Sequence, residues 1–264
     1  MSRSSTVLFS DVDGTLLDGE GRYAMTAAEL APHLEYVTIV LASSRTVLEL
    51  SRNQRELGLN GPVVAENGAV VALPWTESLS AVGERAVIDD REWCVIKLGA
   101  PAGAIRDVIQ GNADVLNSRY VDQIDVEPTL GRECSVLLRP VAGETWSALD
   151  PLAVALTSQG YVVASGGSWL AVTQHADKGI GARALLDELR VRARAISRVA
   201  AVGDGDNDVP LLQVAEERFV IRRTDGSWHE DLVAIPGVRC MLPIGIDGWR
   251  DVIETLTSPP RYSS

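Results

Sequence analysis

The segment Asp11-Val12-Asp13-Gly14-Thr15 puts two carboxylates two residues apart, directly behind the apolar run from Thr6 to Ser10. While a chain stays extended, residues i and i+2 point to the same side, so both acids face one space until Gly14 lets the backbone turn. Two like charges this close are costly unless a cation or a proton separates them. An Asp-Gly turn closed by its own side-chain hydrogen bond is the plain alternative, but the position behind a strand-like run favours chemistry. A second acidic stretch, Gly203-Asp204-Gly205-Asp206-Asn207-Asp208, follows the apolar run Val199–Val202. Such a density of oxygen donors needs a hard cation or many backbone N–H groups. An EF-hand calcium loop is excluded, because Val209 stands where that loop needs glycine and Ala215 where it needs its closing carboxylate. Asp208 also suits the cap of a helix beginning at Pro210.

Lys178 lies between Asp177 and Gly179. A lysine is ordinarily a solvated surface charge. Here Lys97 and Lys178 are the only lysines among 24 basic residues, which makes Lys178 a candidate counter-charge for the acidic groups. Ser43-Ser44-Arg45-Thr46 offers hydroxyls and backbone N–H groups at a helix start, where anions bind; taken alone, an ordinary N-cap explains it equally well.

These groups must be held by something rigid. The two acidic segments and the Ser43–Thr46 stretch follow short apolar runs bounded by polar residues, Thr6–Ser10, Val199–Val202 and Val37–Ala42, and Val63–Ala65 before Glu66-Asn67-Gly68 is a fourth such run; Lys178 starts the helical stretch that leads to Val199–Val202. Such runs suit strands buried on both faces. Helical periodicity fills the intervals at 46–57 and 178–196. Alternating strands and helices predict a doubly wound, Rossmann-like parallel sheet of the α/β class, in which ligands gather beyond the carboxyl ends of the strands. From about residue 78 to 171 the pattern changes. Trp93–Leu98 and Cys134–Leu138 alternate like strands of a partly exposed antiparallel sheet, with helices expected at 102–110 and 145–159. The expectation is therefore a core domain of residues 1–77 and 172–264 with an α+β cap domain, 78–171, inserted into it.

Composition narrows the partners. The net charge of −12 over 264 residues argues against non-specific nucleic-acid binding and against an anionic membrane surface. No run reaches the roughly 18 apolar residues of a membrane span, and the N-terminal stretch meets Asp11 before a signal-peptide core could finish. Cys94, Cys134 and Cys240 form no disulfide or metal pattern, so a reducing cytoplasm is expected. His33, His175 and His229 are scattered and indicate no zinc site. The tail from Ser258 is expected to fray.

Taken together, the four segments resemble the haloacid dehalogenase-like superfamily of phosphotransferases. The Asp11–Thr15 segment matches its first motif, Ser43 its second, Lys178 its third and Gly203–Asp208 its fourth, over about two-thirds of the chain. Within the branch with an α/β cap the sequence is most similar to the mannosyl-3-phosphoglycerate phosphatase family. Ser43–Thr46, the stretch from Gly58 to Pro62 running into Glu66-Asn67-Gly68, Arg132–Ser135, and Ser165-Gly166-Gly167 carry this similarity. Arg45 stands where that family has lysine, and Ser168 where a basic residue is expected.

The resemblance implies a magnesium-dependent phosphomonoester hydrolase. Asp11 would be the nucleophile and Asp13 the acid and base. The metal would be held by Asp11, the Asp13 carbonyl and Asp204, with Asp208 steadying its waters. Ser43, Lys178 and Asn207 would hold the phosphate. Arg45, Arg132, Ser135, Ser165 and Gly167 are candidates for reading the rest of the substrate. Glu66 and Asn67 would bind sugar hydroxyls or cap a strand end, and for Arg132 a surface ion pair is an equal alternative. The implied substrate is a small phosphorylated sugar or glycoside, first mannosyl- or glucosyl-3-phosphoglycerate. Sucrose-, trehalose- or hexose-phosphates, or a phosphomannomutase-type reaction, are the alternatives. A monomer or homodimer is expected.

Overall fold

The computed structural model describes residues 5–75, 83–166, 169–191 and 196–258. The elements run, in order, β1 (Ser5–Ser10), α1 (Ala27–Leu30), β2 (Val37–Ala42), α2 (Val47–Glu56), β3 (Val63–Ala65), β4 (Val70–Pro74), β5 (Glu84–Ile88), β6 (Arg91–Lys97), α3 (Ala102–Leu116), β7 (Tyr120–Asp122), α4 (Gln123–Val126), β8 (Ser135–Pro140), α5 (Asp150–Ser158), β9 (Tyr161–Gly166), β10 (Trp169–Gln174), α6 (Lys178–Val191), β11 (Ile196–Gly203), α7 (Val209–Val214), β12 (Glu217–Arg222), α8 (Glu230–Val233), β13 (Val238–Ile244) and α9 (Ile246–Thr257). Most of the tail, residues 259–264, lies outside the described residues.

Nine strands form one sheet in the order β13-β12-β11-β1-β2-β3-β4-β6-β5. From β13 to β3 the neighbours are parallel, and β4, β6 and β5 add an antiparallel edge. The parallel strands are apolar on both faces because both faces are covered. On one side Leu8, Ile39, Leu41, Ala200 and Val202 pack with Leu50 of α2 and Trp249, Val252 and Ile253 of α9. On the other, Val7, Phe9, Val40 and Ala201 meet Leu185 and Leu189 of α6 and Leu211 of α7. This is the doubly wound α/β arrangement expected from the alternation of runs.

The second sheet is antiparallel, β7-β8-β10-β9, and α3 and α5 close a separate core over it with Ile105, Ile109, Leu152, Leu156, Val136 and Val172. One expectation needs correction. Trp93–Leu98 does not belong to this sheet. Its strand β6 pairs antiparallel with β4, Val70 opposite Lys97, and with β5, and so extends the large sheet. Trp93 and Val95 join the large core. The alternation did report an antiparallel strand; it carries no information on which sheet supplies the partner. The segment outside the large sheet accordingly starts after β6 and runs through β10 to Gln174, where residues 78–171 were expected. The next strand of the large sheet is β11.

Candidate active site

Five loops meet at the carboxyl ends of neighbouring strands: those after β1, β2, β3, β11 and β12. The chain winds from β1 to β2 on one side and reaches β11 on the other, so the loops after β1 and β11 flank the topological switch point where such sheets bind ligands. The central object is Lys178, at the first turn of α6 and only 1% exposed. Its Nζ donates to Asp11 Oδ1 at 2.6 Å and to Asp208 Oδ1 at 2.7 Å. Asp177 Oδ1 accepts from Ile180 N at 2.8 Å and fixes the start of that helix. Burial alone would lower the Lys178 ammonium, but the charges of Asp11 and Asp208 outweigh it and hold it above its usual range.

The acidic loop folds on itself. Asp208 is fully buried, and its Oδ2 accepts from the N–H groups of Asp204 at 3.0 Å and Gly205 at 3.1 Å. Thr15 Oγ1 donates to Asp204 Oδ1 at 2.9 Å and ties the two acidic loops together. Between them Gly14 adopts φ +84°, a conformation that favours glycine, and a Cβ there would stand 2.8 Å from Asp204 Oδ2 and press on that carboxylate. Burial, reinforced by the charge of Asp208, raises the Asp11 carboxyl well above its usual range and the Asp204 carboxyl to about 6.

Three carboxylates against one ammonium leave negative charge in excess. One oxygen from each of Asp11, Asp204 and Asp208 lies within 4.8 Å of the others, a group able to hold a metal ion. The hydrogen bonds among the described residues occupy Asp11 Oδ1, Asp204 Oδ1 and both oxygens of Asp208. They leave Asp11 Oδ2 and Asp204 Oδ2 for a cation. A hard ion that keeps several waters and takes one or two carboxylates fits this donor set.

A cleft of about 190 Å³ opens above the cluster, lined by Asp11, Asp13, Ser43, Ser165, Asp204, Asn207 and Arg223, among others. Ser165 comes from β9 of the small sheet, so the two sheets face each other across this space. Asp13 stands at the rim, gripped through both oxygens by Arg45, at 3.0 Å from Nε and 2.6 Å from a terminal nitrogen. Ser43 is buried and its Oγ accepts from Arg45 N at 3.3 Å. Asn207 Nδ2 donates to Asn67 Oδ1 at 3.3 Å, and Asn67, Asn207 and Lys178 line a second hollow beside the first.

The structure thus gathers Asp11, Asp13, Ser43, Arg45, Asn67, Ser165, Lys178, Asp204, Asn207 and Asp208 in one neighbourhood. Glu66, Arg132 and Ser135 come together elsewhere, in the seam between the sheets, where they bond one another and the backbone; none lines the cleft. Gly167 lies outside the described residues. Sequence reasoning missed Thr15 and Arg223. Thr15 sits inside the first acidic motif and could have been read from it. Arg223 follows β12 and donates from Nε to the Asp204 carbonyl at 2.9 Å; its one signal is that its strand borders β11.

The family model of the haloacid dehalogenase-like hydrolases matches residues 8–81 and 147–225, and the chain belongs to that family. A glucosyl-3-phosphoglycerate/mannosyl-3-phosphoglycerate phosphatase of Persephonella marina is 26% identical over 94% of this chain and 95% of its own. A mannosyl-3-phosphoglycerate phosphatase of Pyrococcus furiosus is 29% identical over 81% of this chain and 90% of its own. A crystal structure of a Thermoplasma acidophilum protein shares the fold, with a TM-score of 0.68 at 16% identity over 96% of this chain and 99% of that one. The chain is an enzyme, a phosphatase. No helix among the described residues is long and apolar enough to cross a membrane.

Proposed function

We propose that the chain is a magnesium-dependent phosphomonoesterase that works through an aspartyl-phosphate, with mannosyl- or glucosyl-3-phosphoglycerate as its first candidate substrate. The observation that carries this reading is the buried Lys178 bridging Asp11 and Asp208, with Asp204 beside them. A phosphoryl group carries its charge on peripheral oxygens, so positioning and cations supply most of the rate enhancement. Asp11 and Asp204, with the Asp13 carbonyl, would hold the metal, and Asp208 would orient its waters. Bound there, the ion would neutralise the excess carboxylate charge and the phosphate oxygens.

The Asp11 carboxylate attacks phosphorus through one of its oxygens, the bond from phosphorus to the leaving oxygen breaks, and Asp13 supplies that oxygen with a proton. Asp13 then takes a proton from a water whose oxygen attacks the acyl-phosphate, releasing inorganic phosphate and restoring Asp11. Both proton steps require the Arg45 fork on Asp13 to loosen. Lys178, Ser43 and Asn207 hold the phosphate oxygens. The unit from residue 98 to 174 acts as the cap and presents Ser165 to the leaving group. The glycosyl-phosphoglycerate assignment rests on the names of the relatives and on the sequence pieces shared with that family.

Phosphate release should be measured over a panel of mannosyl- and glucosyl-3-phosphoglycerate, sucrose-, trehalose- and hexose-phosphates, with magnesium or chelator. The reading expects magnesium-dependent release, fastest with the first two, and none from Asp11→Asn. Equal release by Asp11→Asn removes the nucleophile. Plain hexose phosphates turned over as well as the glycosides would remove the substrate assignment. An isomerised sugar phosphate without free phosphate would make the enzyme a mutase.

A further inference from the structure

Behind β3 three successive residues adopt the left-handed backbone conformation: Glu66 at φ 52°, Asn67 at 53° and Gly68 at 88°. For glutamate this is uncommon, and such strain persists where the surroundings over-determine it. Each of the three addresses a different part of the molecule. Glu66, 1% exposed, reaches into the small-sheet unit. Its Oε1 accepts from Glu133 N at 2.9 Å, and its Oε2 accepts from Cys134 N at 2.9 Å and Ser135 Oγ at 2.7 Å. Asn67 leans on Asn207 of the acidic loop. Gly68 backs onto the residue before Lys178, so closely that a Cβ would stand 1.8 Å from the Asp177 carbonyl oxygen.

The seam is bonded from the other side as well. Arg132, its side chain 4% exposed, donates to the Ser44 carbonyl at 2.8 Å, and Lys97 of the large sheet pairs with Glu133 at 3.1 Å. Ser135 begins β8. In the ladder it stands opposite Thr173 of β10, and β10 in turn carries β9, whose Ser165 lines the cleft. Glu66 is therefore linked through two strand pairings to the residue that the small sheet places at the cleft.

We propose that Glu66 is a positioning residue: it fixes the small-sheet unit over the cleft, and so sets which leaving groups fit beneath Ser165, without touching the reacting atoms. The proposal rests on the phosphatase reading and adds to it the source of substrate selectivity. Both carboxylate oxygens face N–H donors, so glutamine cannot replace glutamate: whichever way its amide turns, an NH2 group meets a backbone N–H.

The test uses the full chain, with Glu66→Gln, Glu66→Asp, Ser135→Ala and the double variant Glu66→Gln/Ser135→Ala. Kinetics are compared on the best sugar phosphate of the panel and on p-nitrophenyl phosphate, whose leaving group needs no reading, and amide exchange is followed at Glu133 and Cys134. Glu66→Gln should lose about tenfold or more in kcat/KM on the sugar phosphate, mainly through KM, and stay within about threefold on p-nitrophenyl phosphate. The two amides should exchange faster, Glu66→Asp should recover part of the loss, and Ser135→Ala should show the same selective loss at smaller size. The double variant should lose less than the product of the two single losses, because both changes act on one bonded cluster. Equal losses on both substrates, or unchanged exchange at the two amides, overturn the proposal. Should Glu66→Gln fail to fold, Ser135→Ala decides by the same ratio. A wild type that releases phosphate from nothing removes the phosphatase reading instead, and amide exchange in Glu66→Gln still decides whether the seam depends on this carboxylate.

Discussion

Two buried carboxylate clusters flank the turn at residues 66–68, and they differ in how their negative charge is met. Around Lys178, three aspartates share one ammonium, and burial drives two of them upward. Around Glu66, one carboxylate is met by two backbone N–H groups and a hydroxyl, with no oxygen left over. The first cluster is electrostatically incomplete and asks for a further cation. The second is complete and resists rearrangement. Burial of an acid therefore does not by itself mark a reacting group; an unfilled oxygen beside excess charge does.

The severest way to break the contrast is Lys178→Met. Losing one partner of a buried ion pair costs about 3–5 kcal/mol, so the thermal midpoint should fall, and phosphate release should drop by about a hundredfold or more. A variant that kept its activity would mean that Lys178 is only structural. A smaller effect concerns the missing cation. Magnesium at about 100 times its dissociation constant adds about 2.7 kcal/mol of stability, seen as a higher Tm than in chelator, and Asp204→Asn should lose most of that rise. An undiminished rise would place the ion elsewhere. The third effect differs in sign between the clusters. In metal-free protein, Glu66→Gln should destabilise by about 1–3 kcal/mol through unsatisfied donors, whereas Asp11→Asn, which relieves repulsion, should raise the denaturant midpoint. Two losses would erase the distinction. The smallest effect is that of Lys97→Met. Its side chain is 38% exposed in its pairs with Glu84 and Glu133, so the change should cost under about 1 kcal/mol in a denaturant melt.

The parallel core was legible because its strands are buried on both faces and end in chemically capable residues. Val37–Ala42 and Val63–Ala65 form as strands over those very residues. The Lys178 cluster was legible for a related reason: Asp11 and Asp204 each directly follow a strand, and Lys178 opens the helix that leads into β11, so local sequence already tells where they lie. The seam was not. Glu66 is bound by residues 67 to 69 positions away, and a glutamate that accepts from backbone N–H groups leaves no complementary residue type to find. Arg223 was missed for the same reason, since its partner is the carbonyl of Asp204 rather than a side chain. Trp93–Leu98 was recognisable as an antiparallel strand, but its pairing with β4 joins residues as far apart in the chain as Val70 and Lys97, and no local pattern reports such a partner.

The turn at 66–68 belongs to the large sheet by chain connection, yet it holds the acceptor that the inserted unit needs. A chimera cut only at the two crossings, near residues 98 and 174, would carry a foreign unit onto a carboxylate shaped for Glu133, Cys134 and Ser135. One that inherits the turn together with the unit keeps the match. The heritable module of selectivity in this protein is thus discontinuous along the gene, and recombination at the obvious junctions splits it.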